Sequence, residues 1–367
     1  MRDRLRVMTV LGTRPEIIRL SRIIPALDTF FDHRLVHTGQ NAAKNLSHVF
    51  FDELSIRPPD ANLEIETQSI GLELSSLFLK FDYLLKRESP DRVLILGDTT
   101  SGTVAYLCAR RGVPVYHMEA GNRCYDDRVP EEVNRRLIDH CSAVLLPYTH
   151  RSAANLEREG IARRRIAVIG NPIYEVLRHY APYFEKATPR YTLRLDREQY
   201  ILATLHRAEN IDDPATLEGL SDALVAVADN FQMPLIFSVH PRAASEFTAA
   251  RFAGTRVRPL PAMGFFDFVE LEREAWLVLT DSGTVQEECA ILGTPVLTLR
   301  AATERPETLE AGTNVVTSTD PKQIVAAAQT TGYRRALPRT PPAEYVEPNV
   351  SGKVVNVLMT SLEQWGL

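Results

Sequence analysis

Short runs of β-branched and other apolar residues recur along the chain, each closed by glycine or polar residues and most followed by a helix-length amphipathic segment. VMTVLG (7–12) leads into a predicted helix over 15–28, and RLVHTG (34–39) follows it. RVLILGD (92–98), a helix over 101–111, VPVYHME (113–119), a helix from 130 to about 142 and AVLLPY (143–148) continue the series. A helix near 149–159 and the run IAVIGN (166–171) complete the first half. Between residues 40 and 91 the pattern predicts no element. Apolar runs alternating with helices in this way predict a doubly wound α/β domain with a parallel sheet.

Pro172 and the proline- and aromatic-rich stretch 181–198 interrupt the rhythm, which then restarts. YILATLH (200–206), a helix over 214–230, PLIFSVH (234–240), RVRPL (256–260), WLVLTDS (276–282), a helix over 284–292 and TPVLTLR (294–300) form a second set. Two Rossmann-like doubly wound domains facing a cleft are expected, 1–172 with 353–367 and 173–352. VVNVLMTSLEQW (354–365) reads as a helix crossing back onto the first domain. A chain of 367 residues is long enough for two such cores.

The remaining composition narrows the function classes. The net charge of -5 gives no reason to expect nucleic acid or an anionic membrane as partner. No apolar run approaches the roughly 18–20 residues of a membrane helix. The basic and apolar start MRDRLRVMTVLGTRPE has no small-residue cleavage site and reads as a buried first strand. Cys108, Cys124, Cys141 and Cys289 are widely spaced with no C-x-x-C pair, which argues against structural zinc and fits a reducing cytoplasm.

In an open parallel sheet the ligand lies outside the carboxyl ends of the strands, and the polar clusters of this chain fall there. In GTRPE, Pro15 suits a first helical position and places Arg14 beside a helix start, where an arginine can clamp a diphosphate; Arg19 lies one turn on. TDSGTVQEE places Ser282, Gly283 and Thr284 between strand and helix, with Glu287 and Glu288 a turn further in reach of a ribose. This is neither a Walker A motif nor G-x-G-x-x-G, so neither ATP hydrolysis nor nicotinamide binding is indicated. His206 and Arg207, with Glu209, end one strand of the second half and Arg305 another. Asp98, Glu119 and Glu131 are the acids placed for proton transfer. Glu132 and Arg136, at i and i+4, read as a helix-surface pair, and Asp126 and Asp127 as turn residues.

GTRPEIIRLSRIIPAL, HTGQN, LGDTTSGTVAY, HMEAGNR, PEEVNRRLIDH, GNPIYEVL, LHRAENID, VLTDSGTVQEE and TERPETLEAGTNVV together resemble the non-hydrolysing UDP-N-acetylglucosamine 2-epimerases, in the right order over nearly the whole chain. The resemblance implies a glycosyltransferase-B-like fold, a UDP-sugar substrate, a homodimer, and no nicotinamide cofactor or metal. It implies elimination of UDP to a 2-acetamidoglucal followed by re-addition. By motif, Asp98, Glu119, Glu131 and His206 match catalytic residues. Arg14 and Arg305 match phosphate arginines, with Ser282, Gly283 and Thr284 at the diphosphate. Glu288 matches a ribose ligand, Phe268 an aromatic near the uracil, and Arg19 and Gln40 join the substrate-binding set.

The chain departs from that pattern at Asn41, where the family has histidine, at Arg19, where lysine is usual, and in the loop Asn122–Val129, shortened by two residues. GNRC…RVPEE and TGQN resemble the branch acting on modified UDP-2-acetamido sugars, such as diacetamido-uronates or N-acetylfucosamine, and the shortened loop is the place to look for substrate identity. A hydrolysing relative and a glycosyltransferase of the same fold are the other readings. The first would release UDP. The second would need an acceptor surface but fewer carboxylates around one ring.

Overall fold

Most of the apolar runs become strands, and those at the centre of each sheet are buried on both faces, as sheets sandwiched between helices require. The computed structural model describes residues 4–40, 50–240 and 243–367. The chain divides into two compact units, Met1–Val176 with Glu344–Leu367, and Leu177–Ala343. Among the described residues, unit 1 holds β1 Arg6–Leu11, β2 Asp32–His37, β3 Ala61–Asn62, β4 Arg92–Leu96, β5 Val115–Met118 and β6 Val144–Leu146. Unit 2 holds β7 Ile201–Leu205, β8 Leu235–Val239, β9 Val257–Pro261, β10 Leu277–Thr280, β11 Val296–Thr298 and β12 Asn314–Val316.

The six strands of unit 1 run β3-β2-β1-β4-β5-β6 and those of unit 2 run β12-β11-β10-β7-β8-β9. Every pairing is parallel. Numbered within its own unit, each sheet has the order 3-2-1-4-5-6 of dinucleotide-binding folds. The order therefore reverses between β1 and β4 in unit 1 and between β7 and β10 in unit 2. Those two switch points are where ligands of such sheets bind.

Several elements differ from the pattern-based expectation, each for a local reason. The helix expected over 15–28 is two helices, Arg14–Leu20 and Ile23–Phe30. Pro25 lacks the N–H that would bond to Ser21, so one continuous helix cannot form. The run IAVIGN makes only an isolated bridge, Leu145 to Ile166. Gly170 adopts φ +88, and the Asn171 amide is taken by the Glu344 carbonyl at 2.9 Å. The unassigned region contains a 19-residue helix, Ile70–Glu88, capped by Ser69, whose side chain accepts from the Leu72 amide. Its Leu77, Phe81, Leu84 and Leu85 pack on Met8, Val10, Ile95 and Val115 of the sheet. Full burial of each contributes about 1.5–3 kcal/mol.

The C-terminal helix Val350–Met359 packs on Ile23–Phe30 and so completes unit 1. Arg92 donates to the Leu358 carbonyl, and Ser351 donates through its amide (2.9 Å) and hydroxyl (2.5 Å) to Glu175. Among the described residues no helix is long and apolar enough to cross a membrane.

Candidate active site

In unit 1 the polar residues gather where β1, β4 and β5 end. Gly12 leaves β1 against two hydroxyls: a Cβ there would lie 2.2 Å from both Ser101 Oγ and Thr38 Oγ1. Thr38 Oγ1 and Ser101 Oγ are 2.7 Å apart, and Gln40 Oε1 accepts from the Ser101 hydroxyl at 2.8 Å and its amide at 3.1 Å. Gly12→Ala is therefore expected to lower stability by about 1–3 kcal/mol, read by urea denaturation; an unchanged midpoint would show that the hydroxyls move aside freely. The half-buried Arg14 lies over the Phe50 ring, 4.5 Å from its centroid.

Asp98 follows β4 after Gly97, which adopts φ +80. Buried Arg135 grips its Oδ2 through Nε at 2.9 Å and Nη2 at 2.5 Å, and Asn134 donates to its carbonyl. Both residues lie on helix Pro130–Cys141, three and four positions after Glu131, so the partly exposed Glu131 shares their face. Glu119 ends β5 with φ +67, a strained conformation for a residue with a side chain. Its Oε2 accepts from Arg19, and Asn122 Nδ2 reaches Oε1 at 3.3 Å. Asp98 and Glu119 thus stand at the ends of neighbouring strands, each held by a buried guanidinium.

His117, Asp139 and Arg123 form a buried polar network that ends on the partly exposed Glu159. His117 Nε2 contacts the Gly97 carbonyl and Nδ1 contacts Asp139, both at 2.8 Å. Asp139 also meets Arg123 at 2.8 Å, and Arg123 binds Glu159 through two nitrogens at 2.7 and 2.6 Å. Burial alone would raise the Asp139 carboxyl, but His117 and Arg123 hold it below its usual value.

Glu132 is a correction to the surface-pair reading. It does meet Arg136 at 3.1 Å, yet it is wholly buried. It accepts from the Cys124 and Tyr125 amides, each at 3.1 Å, and from Arg135 at 2.8 Å. It therefore anchors the loop Asn122–Val129 to the helix that carries Glu131.

In unit 2 Asp281 organises the switch point. It is fully buried and accepts from the amides of His206 (3.0 Å) and Arg207 (2.9 Å) and from Asn210 Nδ2 (3.0 Å). His206 Nδ1 lies 3.1 Å from Asp281 Oδ1, and the His240 ring is 5.6 Å away. Burial opposes the charge on Asp281, but these partners overcome it and bring its pKa to about 2. Ser282 precedes helix Gly283–Leu292 at its N-cap position without a side-chain capping bond, and the Ser282 amide donates to Thr280 Oγ1 at 3.0 Å.

Beside that helix start, Arg305 donates to Glu287, while Arg207 (3.4 Å) and Arg300 (2.8 Å) donate to Glu304. Three guanidiniums thus gather beside the helix start, a setting that suits an anion. Gly283 makes room for the cluster: a Cβ would lie 2.7 Å from Glu304 Oε1.

Glu288 is buried against Glu272 on helix Phe265–Glu274. Burial first, then repulsion from Glu288, drives Glu272 well above the usual carboxylate range. Phe268 is 7 % exposed and packs with Tyr200, Leu271 and Val285, so the structure places it mainly in the core.

The structure thus brings together Arg14, Gln40, Asp98 and Glu119 around the unit 1 strand ends, with Arg19 paired to Glu119. It gathers His206, Ser282, Gly283, Thr284 and Arg305 around those of unit 2. Asn41 and the side chain of Glu209 lie outside the described residues. Residues not foreseen are Glu16, Arg135, Asp139, Glu272 and Asp281. Of these Glu16 had a local signal, the T-x-x-E capping spacing of Thr13 to Glu16.

Comparison with known proteins gives the family and a matching fold. Residues 26–359 match the family model described as UDP-N-acetylglucosamine 2-epimerase. A Methanocaldococcus jannaschii protein named UDP-N-acetylglucosamine 2-epimerase is 35% identical over 89% of this chain and 92% of its own. A Pseudomonas aeruginosa protein named UDP-2,3-diacetamido-2,3-dideoxy-D-glucuronate 2-epimerase is 34% identical over 89% and 92%. The crystal structure of the M. jannaschii UDP-GlcNAc 2-epimerase with UDP-GlcNAc and UDP superposes with a TM-score of 0.89 at 33% identity, covering 96% of this chain and 99% of that one.

Proposed function

Because this chain belongs to the UDP-N-acetylglucosamine 2-epimerase family, an isomerase family, we propose that it interconverts UDP-N-acetylglucosamine and UDP-N-acetylmannosamine. The C2 hydrogen of such a sugar is not α to a carbonyl, so simple deprotonation gives an unstabilised carbanion. Loss of UDP from C1 as a base takes the C2 proton forms instead the C1=C2 bond of a 2-acetamidoglucal. UDP then adds back to C1 as a proton is delivered to the other face of C2. The sequence is redox-neutral and is written without nicotinamide or metal.

Two kinds of group serve it: carboxylates for the proton and fixed donors for the departing diphosphate. Asp98, Glu119 and Glu131 of unit 1 are assigned to proton transfer. In unit 2, His206, oriented by Asp281, is assigned to catalysis at the diphosphate. Arg305 and the backbone at Ser282, Gly283 and Thr284 are assigned to binding it, with Arg14 and Arg19 of unit 1 as further cations. Gln40 is assigned to the sugar, and Glu288 and Phe268 to the nucleoside. The observation that carries the reading is the pair of guanidinium-clamped carboxylates, Asp98 with Arg135 and Glu119 with Arg19, at adjacent strand ends.

A second reading keeps the reaction and changes the sugar to another UDP-2-acetamido sugar. It is favoured by the 34% identity to the diacetamido-glucuronate epimerase, level with the 35% of the first relative, and by Tyr125, 63% exposed in the shortened loop. We also read the chain as a cytoplasmic homodimer. Four free cysteines and the exposed Leu79 and Tyr83 on helix Ile70–Glu88 support this.

Incubation with UDP-N-acetylglucosamine in deuterated water, followed by proton NMR, is expected to show deuterium entering C2 and the manno epimer accumulating. Net release of UDP would indicate hydrolysis instead. An unchanged spectrum would rule out this sugar and move the test to other UDP-2-acetamido sugars.

A further inference from the structure

Glu16 is 2% exposed at the switch point of unit 1. Its Oε2 accepts from the Gly12 amide at 2.5 Å and the Thr13 amide at 3.0 Å. Its Oε1 accepts from the Thr99 hydroxyl at 2.7 Å, a bond spanning 83 residues. Helix capping accounts for the bond to Thr13 alone. The bond to Thr99 fastens the turn leaving β1 to the loop leaving β4, one residue from Asp98.

All three partners donate, which suits a carboxylate. A proton taken from solvent has one place to go. Oε2 faces two amides that cannot accept, so the proton settles on Oε1, and the Thr99 hydroxyl must turn from donor to acceptor. Among the described residues, the charged groups around Glu16 are few. Asp98, held by Arg135, acts on it from the β4 loop. Arg14 and Arg19 stand on its own helix, Arg19 paired with Glu119. The end of β2 brings His37, whose Nδ1 accepts from the Gly39 amide.

We propose that Glu16 is a positioning residue for Asp98: as a carboxylate it fixes the Asp98–Thr99 loop, as an acid it releases it, and the epimerisation rate follows. The inference rests on the assignment of Asp98 to proton transfer. Burial, the largest influence, aided by repulsion from Asp98, outweighs the three hydrogen bonds and raises Glu16 to about 7. The switch therefore falls in the neutral range.

Two measurements test this. The kcat/KM for C2 exchange is expected to fall about tenfold per pH unit below a midpoint near 7. Glu16→Gln, neutral at every pH, should lose that limb and hold the low-pH rate throughout; a limb that persists in Glu16→Gln overturns the proposal. Carbon NMR of protein labelled at the glutamate carboxyls, without substrate, should show a carboxyl that titrates near 7 in wild type and is missing from Glu16→Gln, which separates it from the raised Glu272. Its absence overturns the proposal whatever the substrate. If Glu16→Gln does not fold, the wild-type carbon titration and the low-pH limb of kcat/KM, both of which report the free enzyme, must share a midpoint, and separate midpoints overturn it. Titration without any C2 exchange would overturn the functional reading instead.

Discussion

Asp98→Asn is expected to slow exchange of the sugar C2 hydrogen by about 10²–10⁴-fold, the usual contribution of a positioned proton-transfer group, while UDP still binds. The replacement keeps the shape of the side chain and its contact with Arg135 but removes the basic oxygen. Arg135 retains Glu132 at 2.8 Å, so the loop between Asn122 and Val129 stays anchored and the fold loses little. The pairing of measurements is what discriminates. Isothermal titration with UDP reports the unit 2 site, whereas deuterium incorporation reports the chemistry. Exchange at the parental rate would remove Asp98 from the reaction; loss of both signals would mean that the residue supports the structure rather than the chemistry.

Asp281→Asn is expected to damage both stability and rate. Four nitrogens converge on this carboxylate: the His206 and Arg207 amides, Asn210 Nδ2 and His206 Nδ1. An asparagine must turn its own NH2 toward some of those donors, leaving buried groups unsatisfied at a cost of about 2–4 kcal/mol. His206 also loses the partner that orients it, so kcat should fall about 10²–10⁴-fold.

The pH dependence gives an independent check. The folded pKa of Asp281, about 2, lies below the ordinary 3.8. Its stabilisation is thus fully present above about 4 and is lost as pH falls through 2. The wild type should lose about 2 kcal/mol over that interval, and Asp281→Asn should lack this component. Denaturation midpoints of both proteins across the acid range measure it, and identical slopes would refute the assignment.

Much of this fold was legible because a parallel sheet writes its strands as contiguous apolar runs and closes each with polar residues at the ligand end. The positions of Arg14, Asp98, Glu119, His206 and Ser282 followed from that punctuation. What the pattern misses is partnership. Arg135 and Asp98 are 37 residues apart, and Asp281 and His206 are 75; nothing local in either segment announces the bond. Glu132 misled because an acid four residues before an arginine on a helix is the signature of a solvated pair, while a loop folding over that face buries it. Helix Ile70–Glu88 carries apolar residues on more than its buried face, with Leu79 75% and Tyr83 68% exposed, so no clean stripe marked it.

The return of the chain to unit 1 at Glu344 sets an order for its birth on the ribosome. Residues 1–176 emerge first but lack the helix Val350–Met359 that covers Ile23–Phe30. All of unit 2 must be made before that helix arrives. At about 5–20 residues per second its 167 residues (343 − 177 + 1) occupy roughly 8–33 s. For that interval unit 1 holds an open apolar face, and unit 2, though translated later, is the first to have its whole sequence available. The contacts of Arg92 with Leu358 and of Glu175 with Ser351 are then the last to close. They act as a latch on a domain already waiting, and side chains at that seam govern how long the nascent protein remains sticky.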